Sequence, residues 1–248
     1  MKHSELYRVG TCDIDMNGYL TAGAILRYVQ DAANRQHEIY GPTTADLRRD
    51  GKAFVLSRLA LDIHCGKLAE SGVCVSTWYR YAKGFMIERN TVVTQGERPG
   101  GCLLASLSAL WGLLDLNARK PLKVDTLNLG FTPEDESVTT QMPIRFSLPQ
   151  QEYLLLGHHT VSFSECDENH HLNNTHYPEI FCDLTENMEN KRVTGLSISY
   201  RSEAMYGAEF SVYGGSDGDS NGDSKYYRTV LENGQVGAEA LMRFENIN

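Results

Sequence analysis

The sequence predicts an α+β fold in which one structural unit, a helix followed by antiparallel strands, occurs twice. A long stretch near the start has apolar residues at helical spacing, and the stretches after it change to the two-residue period of strands. The same order of elements returns when the chain is shifted by 152 residues, which places Asp15 over Asp167. A repeat of that length indicates duplication of a whole domain.

The first half opens with a strand and a long helix. Glu5 to Cys12 is predicted as a strand that runs into a turn at Asp13 to Gly18. The helix is predicted over Ala22 to Tyr40, because Thr21 is a suitable N-cap and Gly41-Pro42 ends the pattern. At 1.5 Å per residue it would be about 28 Å long, enough to cross a sheet. The residues predicted on its buried face are Ile25, Tyr28, Val29, Ala32, Ala33 and Ile39.

Four strands are predicted after this helix. They are Phe54 to Ile63, Val73 to Arg80, Met86 to Gln95 and Leu103 to Leu116, with turn signals such as Gly96 to Gly101 between them. Leu103 to Leu116 is nearly all apolar, a pattern that also suits a buried helix. We interpret it as a strand buried on both faces.

A polar segment separates the two halves. Phe131 to Pro149 contains three acids and three prolines, and we interpret it as a linker. The predicted organisation is therefore an N-terminal domain over 1–130, a linker over 131–150 and a C-terminal domain over 151–248. In the 152-residue shift, Asn17 lies over Asn169 and Tyr19 lies over His171, so the polar set is complete only in the second copy.

The most polar short stretch of the second half is Glu165 to Asn174, which combines acid, amide and imidazole side chains. Thr160 to Ser164 before it has the alternation of a strand, and Tyr177 to Leu184 after it has helical spacing. A strand-to-helix junction would direct unpaired backbone N–H groups of the helix N-terminus toward the polar side chains. Such a place suits the development of an oxyanion.

Composition restricts the class of protein. The chain is 41% hydrophobic and carries a formal net charge of −9, which is ordinary for a globular protein and argues against nucleic acid as a partner. No apolar run is long enough to span a membrane, and the start lacks the apolar region of a signal peptide, so we expect a cytoplasmic protein. The six cysteines have no C-x-x-C spacing and are expected to be free thiols.

Two motifs identify a family resemblance. Asp167 to Asn174 is similar to the D-x-N-x-H-x-N-N stretch of the acyl-ACP thioesterases, and Tyr200 to Glu203 is similar to their later Y-R-x-E. The resemblance covers essentially the whole chain and implies tandem hot-dog domains, each a long helix wrapped by an antiparallel sheet. It implies a fatty acyl thioester of acyl carrier protein as substrate, a first domain that shapes the acyl pocket, and no cofactor.

Carried over position by position, the resemblance implies that Asp167, Asn169, His171 and Glu203 are the catalytic residues. Plant members of the family have a cysteine directly after the glutamate, whereas this chain has Ala204, so a cysteine nucleophile at that position is impossible here. The expected reaction is attack by water. We assign Glu203, or alternatively Asp167, as the base that activates water, with His171 bonding the water or the carbonyl, and Asn169 orienting it.

Other functions stay open at the level of sequence. The nearest alternative is an acyl-CoA thioesterase, which differs in the carrier that it recognises. A hydratase or dehydratase of acyl thioesters and a non-catalytic binder of acyl groups or carrier protein are further alternatives. Two small basic groups, Arg48-Arg49 with Lys52 and Arg119-Lys120 with Lys123, are candidates for docking an acidic carrier. Because a fused pair of hot-dog units is paired internally, the protein is expected to be a monomer or a homodimer.

Metal and nucleotide sites are not expected. Asp217 to Asp223 matches the first half of a calcium loop, but its twelfth position is Arg228 where a bidentate Glu is needed. The histidines of the second half (His158, His159, His170, His171 and His176) show no H-x-x-x-H pair with a third ligand. No G-x-S-x-G elbow or glycine-rich phosphate loop is present.

Overall fold

The computed structural model describes residues 1–64, 67–68, 72–130, 132–138, 140, 153–216 and 224–247. The chain forms two compact units, the first comprising Met1–Thr11 and Ile25–Pro143 and the second comprising Cys12–Ala24 and Ile144–Asn248. The boundaries at 130 and 150 remain a prediction, and most of the predicted linker lies outside the described residues, as does the calcium-like stretch 217–223.

The first unit contains two helices and an antiparallel sheet. Its elements are β1 (His3–Arg8), α1 (Ala22–Tyr40), α2 (Thr44–Arg49), β2 (Lys52–Ile63), β3 (Gly72–Lys83), β4 (Met86–Gln95), β5 (Leu103–Asp115) and β6 (Lys120–Leu122). The strand order is β1-β3-β4-β5-β2, and β6 pairs with β5. The first residues of α1 are counted with the second unit.

The second unit repeats this plan with a shorter helix. Its elements are β7 (Leu154–Thr160), α3 (Tyr177–Asp183), β8 (Lys191–Tyr200), β9 (Glu209–Ser216), β10 (Ser224–Leu231) and β11 (Val236–Asn246). The strand order is β8-β11-β10-β9-β7, and every pair is antiparallel. Short 3₁₀ turns occur at Thr11–Asp13, Val124–Thr126, Phe163–Glu165, Asn174–His176 and Met188–Asn190.

The predicted α+β class and the elements of the first half are largely confirmed. The bounds of α1 and β4 are as predicted, and Leu103 to Leu116 is indeed a strand, β5, which ends one residue earlier. The short elements α2 and β6 were not predicted, and the strand predicted over Glu5 to Cys12 ends at Arg8, because Thr11–Asp13 forms a 3₁₀ turn. The strand prediction for Thr160 to Ser164 was wrong: β7 ends at Thr160, and Phe163–Glu165 forms a 3₁₀ turn that a capping box at Ser162 begins.

The second helix is much shorter than the first, with seven residues against nineteen. The Thr185 hydroxyl donates to the Phe181 carbonyl at 2.7 Å, and Asn187 adopts a left-handed conformation with φ of 59°. A side-chain hydrogen bond to the last turn and a residue with positive φ both end helices. The sequence after Leu184 therefore turns back toward β8.

The buried face of α1 differs from the prediction at two residues, Ile39 and Tyr28, the second of which is only partly buried. Ile25, Val29, Ala32 and Ala33 are buried as predicted, whereas Ile39 is 59% exposed. The wholly buried side chain in the last turns is the polar Gln36. Because an amide is buried only where it is hydrogen bonded, this position indicates a polar region beneath the C-terminal half of α1.

The predicted repeat is confirmed by matching hydrogen bonds in the two turns. In the first copy, the Asp15 N–H donates to the Tyr19 carbonyl at 2.8 Å, and Asp15 Oδ1 accepts the N–H groups of Asn17 and Tyr19, both at 2.9 Å. In the second copy, the Asp167 N–H donates to the His171 carbonyl at 2.9 Å. Asp167 Oδ1 accepts the N–H groups at the matching positions, those of Asn169 and His171, at 2.8 and 3.2 Å. Each turn follows a 3₁₀ turn and is closed by an isolated bridge, Ile14 with Leu20 and Cys166 with Leu172.

The two copies differ in what their side chains do. The Asn17 amide donates to the carbonyls of Met188 and Lys191 at 3.3 and 3.2 Å, so it holds the start of β8. The ring of Tyr19 faces the Arg192 guanidinium at 5.8 Å. The polar residues of the first copy are therefore used for structure.

Residues 132–138 and 140 contact the sheet of the first unit. Glu134 donates its N–H to the Tyr79 carbonyl at 2.8 Å, and the Trp78 indole donates to the Glu136 carbonyl at 2.8 Å. The Val138 N–H donates to Asn90 Oδ1 at 3.3 Å. This segment covers β3 and β4 on the side away from α1.

Among the described residues, no helix has the length and apolar content that a membrane span needs.

His37 lies in the polar region beneath α1. Its Nδ1 donates to the Pro42 carbonyl at 2.9 Å, so the neutral ring accepts the Tyr79 hydroxyl proton at Nε2, 2.7 Å away. Burial, and then the positive charge of Arg89, lower the pKa of His37 from 6.5 to about 4. As the pH falls, His37 therefore takes up a proton at a higher pH in the unfolded chain than in the folded protein.

We predict that acid destabilises the protein through His37. Because its folded pKa is depressed, the stability that it contributes is present above pH 6.5 and is lost as the pH falls toward about 4. The free energy of unfolding in urea should fall by about 2 kcal/mol more between pH 7 and 4.5 in the wild type than in His37→Gln. The exposed His158→Gln is the control, and an equal loss in both variants would contradict the prediction.

We also predict that His170→Gly leaves the protein folded and slightly more stable. His170 has φ of 63°, and the first copy has Gly18 with φ of 84° at the matching position. Glycine removes the strain of a left-handed side-chain residue, a gain of up to about 1 kcal/mol that its greater unfolded entropy partly offsets. Thermal unfolding measures the change, with His170→Ala as the comparison, which should give no gain.

Candidate active site

Asp167 closes the turn that carries two of the other predicted residues, Asn169 and His171. Its Oδ1 accepts the Asn169 and His171 N–H groups at 2.8 and 3.2 Å, and its Oδ2 accepts the Asn169 side-chain amide at 3.1 Å. Three donors within the same turn therefore engage the carboxylate. The arrangement fixes the orientation of the Asn169 amide and the backbone of His171.

His171 and Glu203 come together from separate segments of the chain. His171 Nε2 is 3.5 Å from Glu203 Oε2, and the two side chains are 23% and 62% exposed. The pair is thus open to solvent on the carboxylate side, where a water molecule can reach it. The structure brings Asp167, Asn169 and His171 together in one turn and adds Glu203 through its contact with His171.

The end of β8 positions Glu203. After Tyr200, the N–H groups of Arg201 and Ser202 both donate to the Gly237 carbonyl of β11, at 2.8 and 3.1 Å. Arg201 also contacts the buried carboxylate of Glu239 at 2.5 Å. These bonds hold the backbone just before Glu203, so the carboxylate projects from a fixed strand end.

The residues after Glu203 attach to the polar turn. Ala204 accepts the Leu172 N–H at 2.8 Å, Met205 forms an isolated bridge with His171, and the Tyr206 N–H donates to the His170 carbonyl at 2.9 Å. Ala204 is 2% exposed. The spacing between imidazole and carboxylate is therefore set by main-chain hydrogen bonds on both sides of the pair.

Sequence reasoning missed the residues that support the turn. Glu165 accepts the Ser162 N–H at 2.7 Å and lies 3.0 Å from His159 Nε2, while its carbonyl accepts the Asn173 N–H at 2.9 Å. Asn173 in turn accepts the Thr175 N–H at 3.1 Å. The pattern Ser162-x-x-Glu165 is a capping-box signature and was the available signal.

The helix predicted over Tyr177 to Leu184 is confirmed as α3, Tyr177–Asp183, but its N-terminus does not lie directly at the polar turn. α3 begins only at Tyr177, and a 3₁₀ turn over Asn174–His176 separates it from His171. With seven residues, α3 is also too short for a large dipole. The polar turn is instead organised by the Asp167 carboxylate.

The cysteines near the turn are poor nucleophiles. Partial burial, and then the charges of Asp167 and Glu165, raise the pKa of Cys166. Burial, and then the charges of nearby carboxylates including Asp183 and Asp15, raise the pKa of Cys182 to about 12. Both thiols therefore stay protonated at neutral pH, and thiolate is the reactive form of cysteine.

Exposed apolar side chains lie on the segments that adjoin the pair. Phe163 is 83% exposed and meets Tyr206, 60% exposed, edge to face with ring centroids 6.3 Å apart. Met205, beside His171, is 48% exposed. Large exposed apolar side chains that cluster at one place are characteristic of binding surfaces.

Structural comparison finds similar proteins over the whole chain. An acyl-ACP thioesterase from Bacteroides thetaiotaomicron has a TM-score of 0.86 at 23% identity, covering 98% of each chain. A putative oleoyl thioesterase from Lactobacillus plantarum has a TM-score of 0.83 at 18% identity, covering 100% of this chain and 97% of that chain. The 12:0-ACP thioesterase from Umbellularia californica has a TM-score of 0.76 at 14% identity, covering 99% and 98%. These likenesses confirm the predicted hot-dog fold.

Two family models match the sequence in succession. The model described as the acyl-ACP thioesterase N-terminal domain matches residues 1–127, and the model of the C-terminal domain matches residues 150–246. A comparison with curated protein sequences gives no match. The predicted resemblance is confirmed: the chain belongs to the acyl-ACP thioesterases, enzymes that hydrolyse thioesters.

Proposed function

We propose that this thioesterase hydrolyses fatty acyl-ACP at the site formed by Asp167, Asn169, His171 and Glu203, with Glu203 as the base. The observation that carries the assignment is the Glu203 carboxylate, 3.5 Å from His171 Nε2 and open to solvent. A water molecule hydrogen bonded to both groups would lie about 3 Å from each, within reach of a general base. The products are free fatty acid and holo-ACP.

The reaction follows from these positions. Water attacks the thioester carbonyl carbon and gives a proton to Glu203. The carbonyl carbon becomes the centre of a tetrahedral intermediate with a negative oxygen. His171 donates a hydrogen bond to the water or to that oxygen, and Asn169, held by Asp167, orients the reacting group. Collapse breaks the carbon–sulfur bond, and the departing thiolate takes the proton back from Glu203. Both carboxylate and enzyme are then as they began.

Asp167 suits the base role less well than Glu203. Its two oxygens accept three hydrogen bonds from its own turn, and protonation during catalysis would weaken bonds that hold Asn169 and His171. The Glu203 carboxylate does not hold the backbone of this turn. We therefore assign Asp167 to positioning, and we assign activation of water to Glu203.

A basic surface on the first unit supports the carrier-protein assignment. The sheet register pairs Asp115 with Lys52 on one side and with Lys120 on the other, so the two predicted basic groups meet at one end of the sheet. Neighbouring strands are about 5 Å apart, which places the two lysine backbones about 10 Å apart. The basic surface comprises Arg48, Arg49, Lys52, Arg119, Lys120 and Lys123, all exposed or partly exposed. On an acidic protein, such a surface is complementary to an acidic carrier.

The alternatives differ in what they require. An acyl-CoA thioesterase would not depend on this basic surface for its selectivity between carriers. A dehydratase would release no thiol, and a non-catalytic binder would retain its ligand without Glu203. A cytoplasmic location and a monomeric or homodimeric state belong to the same proposal.

Replacing Glu203 by Gln is predicted to lower kcat for thiol release from acyl-ACP by about 10² to 10⁴-fold, because the amide cannot accept the proton. Since Glu203 is 62% exposed, the melting temperature should change little. Glu209→Gln, an exposed acid on β9, is the matched control and should keep full activity. Equal activity of Glu203→Gln and the control would remove the base assignment, and no thiol from wild-type protein would favour the dehydratase or binder.

The double variant Lys52→Gln/Lys120→Gln is predicted to raise KM for acyl-ACP by about 3 to 10-fold at low salt, with kcat unchanged, because carrier docking loses long-range attraction. Lys67→Gln/Arg98→Gln removes the same charge at the other end of the strands and should leave KM unchanged. Acyl-CoA should be affected less than acyl-ACP. An equal rise of KM for both substrates would contradict recognition of the carrier protein by this surface.

A further inference from the structure

Arg89 is a buried cation in the first unit, outside the proposed catalytic site. It lies in the middle of β4, with Tyr79 of β3 and Ala109 of β5 as its cross-strand neighbours. Its side chain is directed at α1, where it meets Gln36, and only 2% of Arg89 is exposed. Arginine is almost never buried to this degree unless a partner compensates its charge.

The polar neighbours of Arg89 satisfy one side of its guanidinium. Nη1 donates to Gln36 Oε1 at 2.8 Å and to Thr77 Oγ1 at 2.9 Å. The Tyr79 ring covers the face of the guanidinium, 4.0 Å from its carbon. Nη2 is buried and has no hydrogen-bond partner among the described residues.

The charge of Arg89 is also uncompensated. Among the residues that the structure describes, no carboxylate forms an ion pair with it, although Arg80 on the next strand pairs with Glu88 at 3.3 Å. The nearby His37 is neutral, since burial and Arg89 lower its pKa to about 4. A buried donor without an acceptor and a buried charge without a counter-charge are both costly, and one anion bound at Nη2 would remove both costs.

We propose that Arg89 Nη2 binds the carboxylate group of an aliphatic acid within the first unit, beneath α1. A carboxylate is a planar acceptor that matches the edge of a guanidinium whose face is already covered by a ring. A phosphate would need several donors, whereas Nη2 is the one amino group left. Ala109 is the cross-strand neighbour of Arg89 on β5, and Ala32 and Ala33 lie one turn before Gln36 on the same face of α1. These alanines are buried, small and apolar, which suits a hydrocarbon chain attached to the carboxylate.

The test is a titration of the whole chain with octanoate, in which calorimetry measures the heat and the affinity of binding. Wild-type protein should bind octanoate, and octanol or inorganic phosphate should bind at least tenfold more weakly. Arg89→Met should weaken octanoate binding by about tenfold or more, since a charge-assisted hydrogen bond is lost. Arg98→Met, at an exposed turn, is the control and should bind as the wild type does.

A second measurement keeps the test decisive if Arg89→Met fails to fold. In wild-type protein labelled with ¹⁵N-arginine, octanoate should shift the guanidinium resonances of one buried arginine, and Arg89→Lys should lack that response. Absence of octanoate binding to wild type, equal binding to a folded Arg89→Met, or tighter binding of phosphate would each overturn the proposal. No thioester is present, so the result is independent of the proposed hydrolysis.

Discussion

The turn of the proposed active site depends on one carboxylate that binds the backbone of its own loop. Asp167 accepts the N–H groups two and four residues later, and this gathers five residues into a fixed loop. The loop presents His171 for the bridge with Met205, and β8 delivers Glu203 beside it. The bonds to Asp167 and the bridge with Met205 hold the backbone of the loop, so they fix the points from which the His171 and Glu203 side chains project.

The same loop in the first copy shows that its geometry and its chemistry are separable. Asp15 makes the same backbone bonds as Asp167, yet Asn17 serves as a support for the carbonyls of Met188 and Lys191. An Asx-type turn requires only the acid and a residue that tolerates positive φ, which is Gly18 in one copy and His170 in the other. In the proposed site, the chemistry then depends on which groups the amide and the histidine face.

The sequence predicted the elements that have strong periodicity and missed those that depend on tertiary contacts. α1 and β4 could be predicted to the residue because each has a clear period and a clear terminator. The turn after β7 could not, since Thr160 to Ser164 alternates like a strand but is diverted by the Ser162–Glu165 capping box. Pairing of His171 with Glu203 rested on family resemblance, as the two residues are thirty-two positions apart and no local rule joins them. Burial of Arg89 was equally hidden, because a charged residue in a strand usually marks an exposed face.

Asn17 holds the start of β8, and this limits whether the turn of the first copy could be given the same active residues as the turn of the second. A duplicated protein begins with two identical sites, and a designer seeking two reaction centres in one chain would look first at Tyr19, which stands where the second copy has His171. Exchanging that residue alone would restore the motif but not the site, since the amide beside it already bonds two carbonyls that begin β8. The residue that differs in role between the two copies, Asn17, thus helps to hold β8, the strand that leads to Glu203 of the proposed site.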